Sequence, residues 1–249
     1  MTTVSDHRLA AQVAEEVGRL LVALRAEGAG WAAGELGDEG DRRAHRRMVE
    51  LLAQARPGDA VLSEEGGDDK ARLGRPRVWV VDPLDGTREF GEPERTDWAV
   101  HVALVVAHLV RAGAVALPAQ GVVVGTDAPP SVPGPSGRPP RVVASRSRRP
   151  AVADRVAAAL GGEVVPLGSA GAKAMAVVTG AADVYVHAGG MYEWDSAAPV
   201  AVASAAGLHA SRVDGSALLY NRPDPYLPDL LICRPELARV CLDALADAV

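Results

Sequence analysis

A ten-residue stretch, residues 78–87, constrains the fold and chemistry of this chain more than any other part of its sequence. It begins with four β-branched or aromatic residues, a composition typical of a buried strand. It continues as Asp-Pro-Leu-Asp-Gly-Thr, in which Asp-Pro and Asp-Gly both favour turns. Pro83 fixes its own φ, and Gly86 permits backbone conformations that a side chain would obstruct. The stretch therefore predicts a strand that ends in a stiff loop carrying two carboxylates, Asp82 and Asp85.

Two interpretations of this loop are open from the residues alone. An Asp-Gly dipeptide by itself is more often a surface turn than a metal site. Hard divalent ions such as Mg²⁺, however, take oxygen ligands, usually one or two carboxylates together with substrate phosphate. Asp82 and Asp85, with the Leu84 carbonyl between them, suit two ions about 3.5–4 Å apart, the spacing of two-metal phosphatase sites. The apolar strand before the loop and further acidic residues along the chain favour the metal site.

Composition and charge exclude several classes of protein. The chain has 249 residues, of which 48% are hydrophobic and 23% charged, which is ordinary for a globular protein of one large or two modest domains. Its formal net charge of −6 argues against a broad nucleic-acid-binding surface. Cys233 and Cys241 lack the spacing of a zinc site, so we expect buried free thiols. The sequence shows no signal-like apolar segment and no run of the ~18 apolar residues that a membrane span needs. We therefore predict a cytoplasmic protein that does not contact membranes.

The N-terminal part predicts helices and then antiparallel strands. Apolar residues at three- and four-residue spacing indicate an amphipathic helix over 6–26, with Ser5 as its N-cap. Five glycines in residues 28–40 predict a mobile loop close to the site. Asp41 is then the expected N-cap of a second helix, and residues 60–63 form a short strand.

Alternating apolar residues continue beyond the organising stretch. Residues 98–106 and 110–117 show a period of two, which predicts antiparallel strands with one buried face. His101 lies on the face opposite the apolar set of the first strand, where a single histidine is more often structural than catalytic.

A proline-rich segment, residues 127–140, contains six prolines and two glycines and predicts a boundary between two halves, 1–135 and 136–249. Beyond it the pattern alternates between strands and helices, typical of an α/β unit. The predicted strands are 141–145, 163–166, 183–187 and 230–232, and the predicted helices are 151–160, 170–179, 195–206 and 235–248.

Several polar groups in the second half are candidates for phosphate binding. Ser145 and Arg146 end a strand, and a guanidinium matches phosphate geometry, although a solvated basic loop is an equal alternative. Ser169 and Lys173 lie where residues 168–173 enter a helix, whose N–H groups and dipole favour an anion. Asp195 is either the N-cap of the helix over 195–206 or a further metal ligand.

Three blocks together resemble a known family. Glu64-Glu65, residues 82–87 and the Trp-Asp-Ser-Ala-Ala-Pro run over 194–199 occur in the order found in the magnesium-dependent, lithium-sensitive inositol monophosphatase superfamily. That superfamily also includes fructose-1,6-bisphosphatases and 3'(2'),5'-bisphosphate nucleotidases. The resemblance implies an α/β protein with the layered αβαβα sandwich of the superfamily. It also implies an α+β N-terminal half, an α/β C-terminal half, and an active site between them.

The resemblance also implies roles for individual residues. Two or three Mg²⁺ ions, with Li⁺ as an inhibitor, would be held by Glu64, Asp82, the Leu84 carbonyl, Asp85 and Asp195. The residues implied in catalysis by a metal-activated water, without a covalent intermediate, are Asp41, Glu64, Asp85 and Thr87. The residues implied in substrate binding are Gly86, Thr87, Ser145, Arg146, Ser169, Lys173 and Asp195.

Departures from the family pattern narrow the substrate. Inositol monophosphatases usually carry a glutamate seven residues before the aspartate that matches Asp195, whereas this chain has Ala188. Residues 85–90, Asp-Gly-Thr-Arg-Glu-Phe, resemble the CysQ-type 3'-phosphoadenosine 5'-phosphate phosphatases. We therefore predict a bisphosphate nucleotidase that converts this small phosphorylated nucleotide to AMP in sulfur assimilation, with 3'-phosphoadenylyl sulfate as a second candidate substrate.

Two alternatives and the assembly state are open at this stage. The first alternative is a broadly specific inositol monophosphatase or fructose-1,6-bisphosphatase, because the same metal site serves all three activities. The second is a non-catalytic nucleotide-binding regulator, which the presence of every family carboxylate disfavours. Relatives of this kind are often dimers, and we expect either a monomer or a homodimer.

Overall fold

The computed structural model describes residues 4–135, 137–148 and 150–246. Two long helices and five strands form the N-terminal part, with short 3₁₀ turns at Lys70–Gly74 and Pro118–Gln120. In chain order these elements are α1 (Asp6–Glu27), α2 (Ala33–Ala55), β1 (Ala60–Ser63), β2 (Arg77–Asp85), α3 (Thr87–Gly91), β3 (Ala99–Val106), β4 (Leu109–Leu117) and β5 (Val122–Gly125).

The C-terminal part alternates strands with helices, as its sequence pattern predicts. A 3₁₀ turn, Pro235–Leu237, precedes the last helix. The elements are β6 (Arg141–Ser145), α4 (Ala151–Leu160), β7 (Glu163–Leu167), α5 (Ala170–Val178), β8 (Val184–Tyr192), α6 (Glu193–Ala205), β9 (His209–Ser211), β10 (Tyr226–Cys233) and α7 (Ala238–Leu245).

Two five-stranded mixed sheets and three layers of helices build the fold. The first sheet has the order β1-β2-β3-β4-β5, with only β1 and β2 parallel, and the second has the order β7-β6-β8-β10-β9. Helices α1 and α2 cover the outer face of the first sheet. Helices α5 and α6 fill the space between the sheets, while α4 and α7 cover the outer face of the second. The predicted αβαβα sandwich is confirmed.

Periodicity located most elements to within a few residues. The helix predicted over 6–26 is α1, and the Ser5 hydroxyl accepts a hydrogen bond from the backbone N–H of Arg8 at 3.2 Å, as an N-cap does. Strands β3 and β4 are antiparallel as expected. The prediction of one buried face was wrong for them, because helices pack on both sides of the first sheet and bury both faces.

The glycine-rich segment is the clearest correction. Residues 33–40, predicted as part of a mobile loop, form the first turns of α2, so Asp41 lies inside this helix and is not its N-cap. The glycines allow close packing: a Cβ on Gly40 would lie 2.9 Å from both Leu84 Cδ2 and Phe90 Cε1. A Cβ on Gly37 would lie 2.7 Å from Thr87 Cγ2. These glycines therefore bring α2 against the loop that follows β2.

Other expectations have mixed outcomes. Cys233 and Cys241 are free and buried, as predicted. The two sheets lie on either side of the proline-rich segment in the sequence, but the division into halves at 135/136 stays a prediction, since the middle core draws on both. Strands β5 and β9 lie outside the predicted strands, and the end of the helix predicted over 235–248 lies outside the described residues. None of the helices in the described ranges is long and apolar enough to cross a membrane.

We predict that Gly40→Ala destabilises the protein although alanine is the better helix former. The added methyl group would meet Leu84 and Phe90 at 2.9 Å, and such overpacking costs about 1–3 kcal/mol. The matched control is Gly34→Ala in the same helix, where a Cβ meets nothing within 4 Å and alanine should stabilise by up to ~1 kcal/mol. Chemical denaturation of both variants checks this, and equal effects would contradict the packing role of Gly40.

Candidate active site

The end of strand β2 supplies two carboxylates to one side of the first sheet. Asp82 and Asp85 are three residues apart, so a regular strand would direct them to opposite faces. The pairing with β3 is irregular at this point: Asp82 lies opposite His101, whereas Asp85 already lies opposite Ala99. The one extra residue between them forms a bulge, which redirects side chains. Both carboxylates therefore reach the same acidic cluster.

Asp195 joins this pair from the other half of the chain. It lies in the first turn of α6, where its Oδ2 accepts a hydrogen bond from the backbone N–H of Tyr192 at 2.6 Å. One carboxylate oxygen from each of Asp82, Asp85 and Asp195 lies within 4.8 Å of the others. Glu64 follows β1, which runs parallel to β2, and it lines a cavity together with Asp85 and Asp195. Among the described residues the three aspartates, here called the acidic triad, are able to hold a metal ion.

The chemistry of the triad fits a divalent cation. Asp82 Oδ2 is buried and has no hydrogen-bond partner among the described residues. A buried carboxylate oxygen without a donor requires a proton or a cation, because burial of an uncompensated charge is costly. An all-oxygen set of carboxylates is the environment that Mg²⁺ and similar hard ions prefer.

Asp85 is the most constrained member of the triad. Its Oδ2 accepts hydrogen bonds from the Ser169 hydroxyl and from the backbone N–H of Gly171 at 2.7 Å, and it lies 3.1 Å from His101 Nε2. His101 is fully buried, and its Nδ1 lies 3.0 Å from the Trp194 carbonyl. Burial would raise the pKa of Asp85, but His101, Lys173 and Ser169 outweigh it and hold that pKa below its ordinary value. Asp85 is therefore a fixed anion.

The neighbouring acids respond in the opposite direction. Burial and the charges of Asp195 and Asp85 raise the pKa of Glu64 to about 7. Burial and the charge of Asp85 raise the pKa of Asp195 to about 6. Burial and the charge of Glu64 place the pKa of Asp82 well above its ordinary value. Without a cation, the cluster relieves its charge repulsion by taking up protons.

Asp41 and Thr87 form a second arrangement at the edge of the cluster. The Thr87 hydroxyl lies 3.3 Å from Asp41 Oδ2 and 3.2 Å from the Leu84 carbonyl, and its single proton can go to either. Burial and the charge of Glu65 raise the pKa of Asp41 to about 7. Gly86 precedes Thr87 with a φ of 92°, a conformation that favours glycine. The Asp41 carboxyl can therefore exchange a proton near neutral pH.

A cavity of about 790 Å³ opens beside these groups. The residues predicted to bind substrate all line it: Gly86, Thr87, Ser145, Arg146, Ser169, Lys173 and Asp195. Asp82, Leu84 and Asp41 do not line it; Asp82 and Leu84 are buried in β2. The predicted roles of all these residues stay predictions.

Two of the predicted substrate ligands already have partners. Lys173 Nζ donates to the carbonyls of Gly168 at 2.7 Å and Ser169 at 2.6 Å, and burial lowers its pKa to about 8 despite the nearby Asp85. The Arg146 guanidinium is paired with Glu89 at 2.8 Å and with Glu92 at 3.0 Å.

Two residues of this region, His101 and Arg148, are not among the predicted site residues. The sequence predicts a structural role for His101, and in the structure its Nε2 lies 3.1 Å from Asp85 Oδ2 and its Nδ1 lies 3.0 Å from the Trp194 carbonyl. The available signal was a polar residue inside a buried strand next to β2. Arg148 also lines the cavity, is exposed, and has no carboxylate within ion-pair distance in the described part of the chain.

Comparison with known proteins identifies the family. The sequence profile of the inositol monophosphatase family matches residues 5–128 and 137–246. The chain belongs to the inositol monophosphatase family. It is a phosphatase of this family, and the family prediction made from its three sequence blocks is confirmed.

Relatives within the inositol monophosphatase family are similar along nearly the whole chain. A 3'-phosphoadenosine 5'-phosphate phosphatase of Mycobacterium tuberculosis is 53% identical over 241 residues, which cover 94% of this chain and 90% of the relative. The protein of the same name from Mycobacterium leprae is 46% identical over 256 residues, which cover 98% and 94%. The crystal structure of CysQ from Bacteroides thetaiotaomicron superimposes with a TM-score of 0.77 at 26% identity, covering 92% of this chain and 97% of that one.

We predict that the metal-free protein becomes less stable as pH rises from about 5 to about 8. Glu64, Asp41 and Asp195 have raised pKa values in the folded state, so folding takes up protons in this range and stability is lost as they dissociate. The free energy of unfolding measured in EDTA at several pH values checks this, and Glu64→Gln should flatten the dependence. Added Mg²⁺ should stabilise most at the alkaline end, because it binds deprotonated ligands. A rising stability with pH in EDTA would contradict this account.

Proposed function

We propose that this protein removes the 3'-phosphate of 3'-phosphoadenosine 5'-phosphate to give AMP, with Mg²⁺ as its cofactor and with 3'-phosphoadenylyl sulfate as a second substrate in sulfur assimilation. The observation that supports the phosphatase chemistry is the convergence of Asp82, Asp85 and Asp195 from both halves on one acidic cluster, of which Asp85 and Asp195 line the cavity. The nucleotide substrate is supported by the names of the mycobacterial relatives at 46–53% identity.

The residues of this chain divide the reaction between them. Divalent ions held by Glu64, the acidic triad and the Leu84 carbonyl would bind phosphate oxygens and lower the pKa of the attacking water. Asp41 would receive a proton of that water through Thr87 Oγ1, and its pKa of about 7 suits this task near neutral pH. As water adds to phosphorus, the ester bond to the 3'-oxygen breaks and that oxygen takes up a proton. The amides of Gly86 and Thr87 are placed to hold a phosphate oxygen.

The cavity also favours a bisphosphate over a simple sugar phosphate. One phosphate would lie against the carboxylates, and the exposed guanidinium of Arg148 is available for a second anion in the same cavity. Arg146 is less available because Glu89 and Glu92 already pair with it. Ala188 supplies no carboxylate for polyol hydroxyls. The cytoplasmic location, the monomer or homodimer state and lithium inhibition are further proposals from the sequence.

We predict strong preference for the nucleotide when phosphate release is measured with Mg²⁺ from 3'-phosphoadenosine 5'-phosphate, inositol 1-phosphate and fructose 1,6-bisphosphate. The expected ratio of kcat/KM is about a hundredfold or more, equivalent to ~3 kcal/mol of transition-state discrimination. Li⁺ should inhibit phosphate release from every substrate that the protein hydrolyses. Comparable rates on all three substrates would indicate a phosphatase of broad specificity. Nucleotide binding without phosphate release from any of the three would favour the non-catalytic nucleotide-binding regulator.

We predict that Asp85→Asn lowers kcat about a hundredfold or more, because the amide removes a fixed negative charge from the triad. The matched control is Asp229→Asn: Asp229 is equally buried, but its partner is Arg212 at 2.6 Å, outside the site. The control should keep its kcat even if its stability falls. Thermal unfolding of both variants separates misfolding from lost chemistry, and near-normal turnover by a folded Asp85→Asn protein would exclude the assignment.

A further inference from the structure

Two half-exposed tyrosines line the cavity at the ends of neighbouring strands. Tyr192 is the last residue of β8 and Tyr226 the first of β10, and the antiparallel register places them directly opposite each other. They are 46% and 47% exposed, and their ring centroids lie 6.2 Å apart in a nearly perpendicular arrangement. Trp31 is the one other aromatic residue with comparable exposure in the described ranges, and it does not line the cavity. We call Tyr192 and Tyr226 the tyrosine pair.

The backbone and a neighbouring indole hold the tyrosine pair in place. The Tyr192 ring stacks on Trp194, with centroids 4.7 Å apart and an angle of 12° between the planes. The Tyr226 ring lies over Gly190, where a Cβ would come within 2.5 Å of its hydroxyl oxygen. Gly190 has a φ of 91°, and its carbonyl lies 2.8 Å from His187 Nε2. The chain thus leaves room for the Tyr226 ring and fixes the part of β8 beneath it.

The chemistry of this wall differs from that of the carboxylate end. Planar aromatic surfaces that remain half exposed inside a cavity bind planar partners by stacking, and every nucleobase has such a face. A cyclitol or sugar would instead need polar groups for its hydroxyls, yet the neighbouring residues 188–190 are Ala-Gly-Gly. The wall is therefore suited to a heterocyclic base.

We propose that the tyrosine pair is a nucleobase-binding subsite of this cavity. The base would stack against Tyr226 and the edge of Tyr192 while the 3'-phosphate lies at the acidic triad. This inference rests on the proposed function and extends it, because it names the groups that separate nucleotides from base-free phosphates. The substitutions are made at Tyr226. Tyr192 is less suitable because it adjoins Trp194 and Asp195, so replacing Tyr192 could displace a triad member.

The experiment compares Tyr226→Ala, Tyr226→Phe and wild type on 3'-phosphoadenosine 5'-phosphate and on ribose 3,5-bisphosphate, the same sugar bisphosphate without its base. The alanine variant should lose about 10- to 100-fold in kcat/KM on the nucleotide, mainly through KM, as expected for one lost aromatic stacking partner. The phenylalanine variant should stay near wild type, and the base-free substrate should be unaffected. Trp31→Ala is the matched control for removal of an exposed aromatic ring.

Equilibrium dialysis of AMP against the same proteins provides a readout that needs no turnover. AMP should bind Tyr226→Ala about 10- to 100-fold more weakly than wild type. Equal AMP binding, or equal losses on the nucleotide and on ribose 3,5-bisphosphate, would overturn the subsite. If wild type releases no phosphate from the nucleotide, the proposed function is wrong, and AMP binding alone then decides whether the subsite exists.

Discussion

The buried carboxylate of Asp85 is the constraint on which the rest of this structure depends. Its charge is compensated from two other elements: the His101 ring on β3 lies 3.1 Å away, and Ser169 and Gly171 at the start of α5 donate hydrogen bonds. These contacts join the first sheet to the helices between the sheets. They also restrict the sequence elsewhere, because a Cβ on Gly171 would collide with the His101 ring. A single anion therefore fixes a strand bulge, a buried histidine and a glycine in a helix that begins more than eighty residues later.

Because Asp85 remains an anion, its negative charge changes the pKa values of the neighbouring carboxyl groups. The pKa values of Glu64, Asp82 and Asp195 are raised by burial and by mutual repulsion, so the cluster without a cation is less stable than an apolar wall of similar shape would be. Such arrangements persist at functional sites because the ligand relieves the repulsion. Asp41 lies farther out, where burial and the charge of Glu65 raise its pKa to about 7 and its Oδ2 lies 3.3 Å from the Thr87 hydroxyl.

Sequence patterns could predict most of the fold, because helices α1 and α4 bury apolar faces that repeat with the helical period, while strands β1 and β6 are short apolar runs. It failed for residues 33–40, since five glycines suggest a loop, whereas two of them serve close helix packing. The strand, the turn and the acidic blocks could likewise predict the triad. The contacts of His101 and the pairing of Arg146 with Glu89 could not be predicted, because they depend on elements that meet only in the folded chain.

Chemistry and recognition come from different parts of the molecule, and the junction between β8 and α6 joins them. Tyr192 lines the recognition wall, while Asp195, three residues later, completes the triad and accepts a hydrogen bond from the Tyr192 backbone. Changes at this junction therefore act on specificity and on metal binding together. Tyr226 reaches the same wall from β10, and among the described residues no hydrogen bond links it to a triad member. Substrate preference can consequently change at Tyr226 without disturbing the carboxylates, which makes this position the natural place for divergence between nucleotide and sugar phosphatases built on this site.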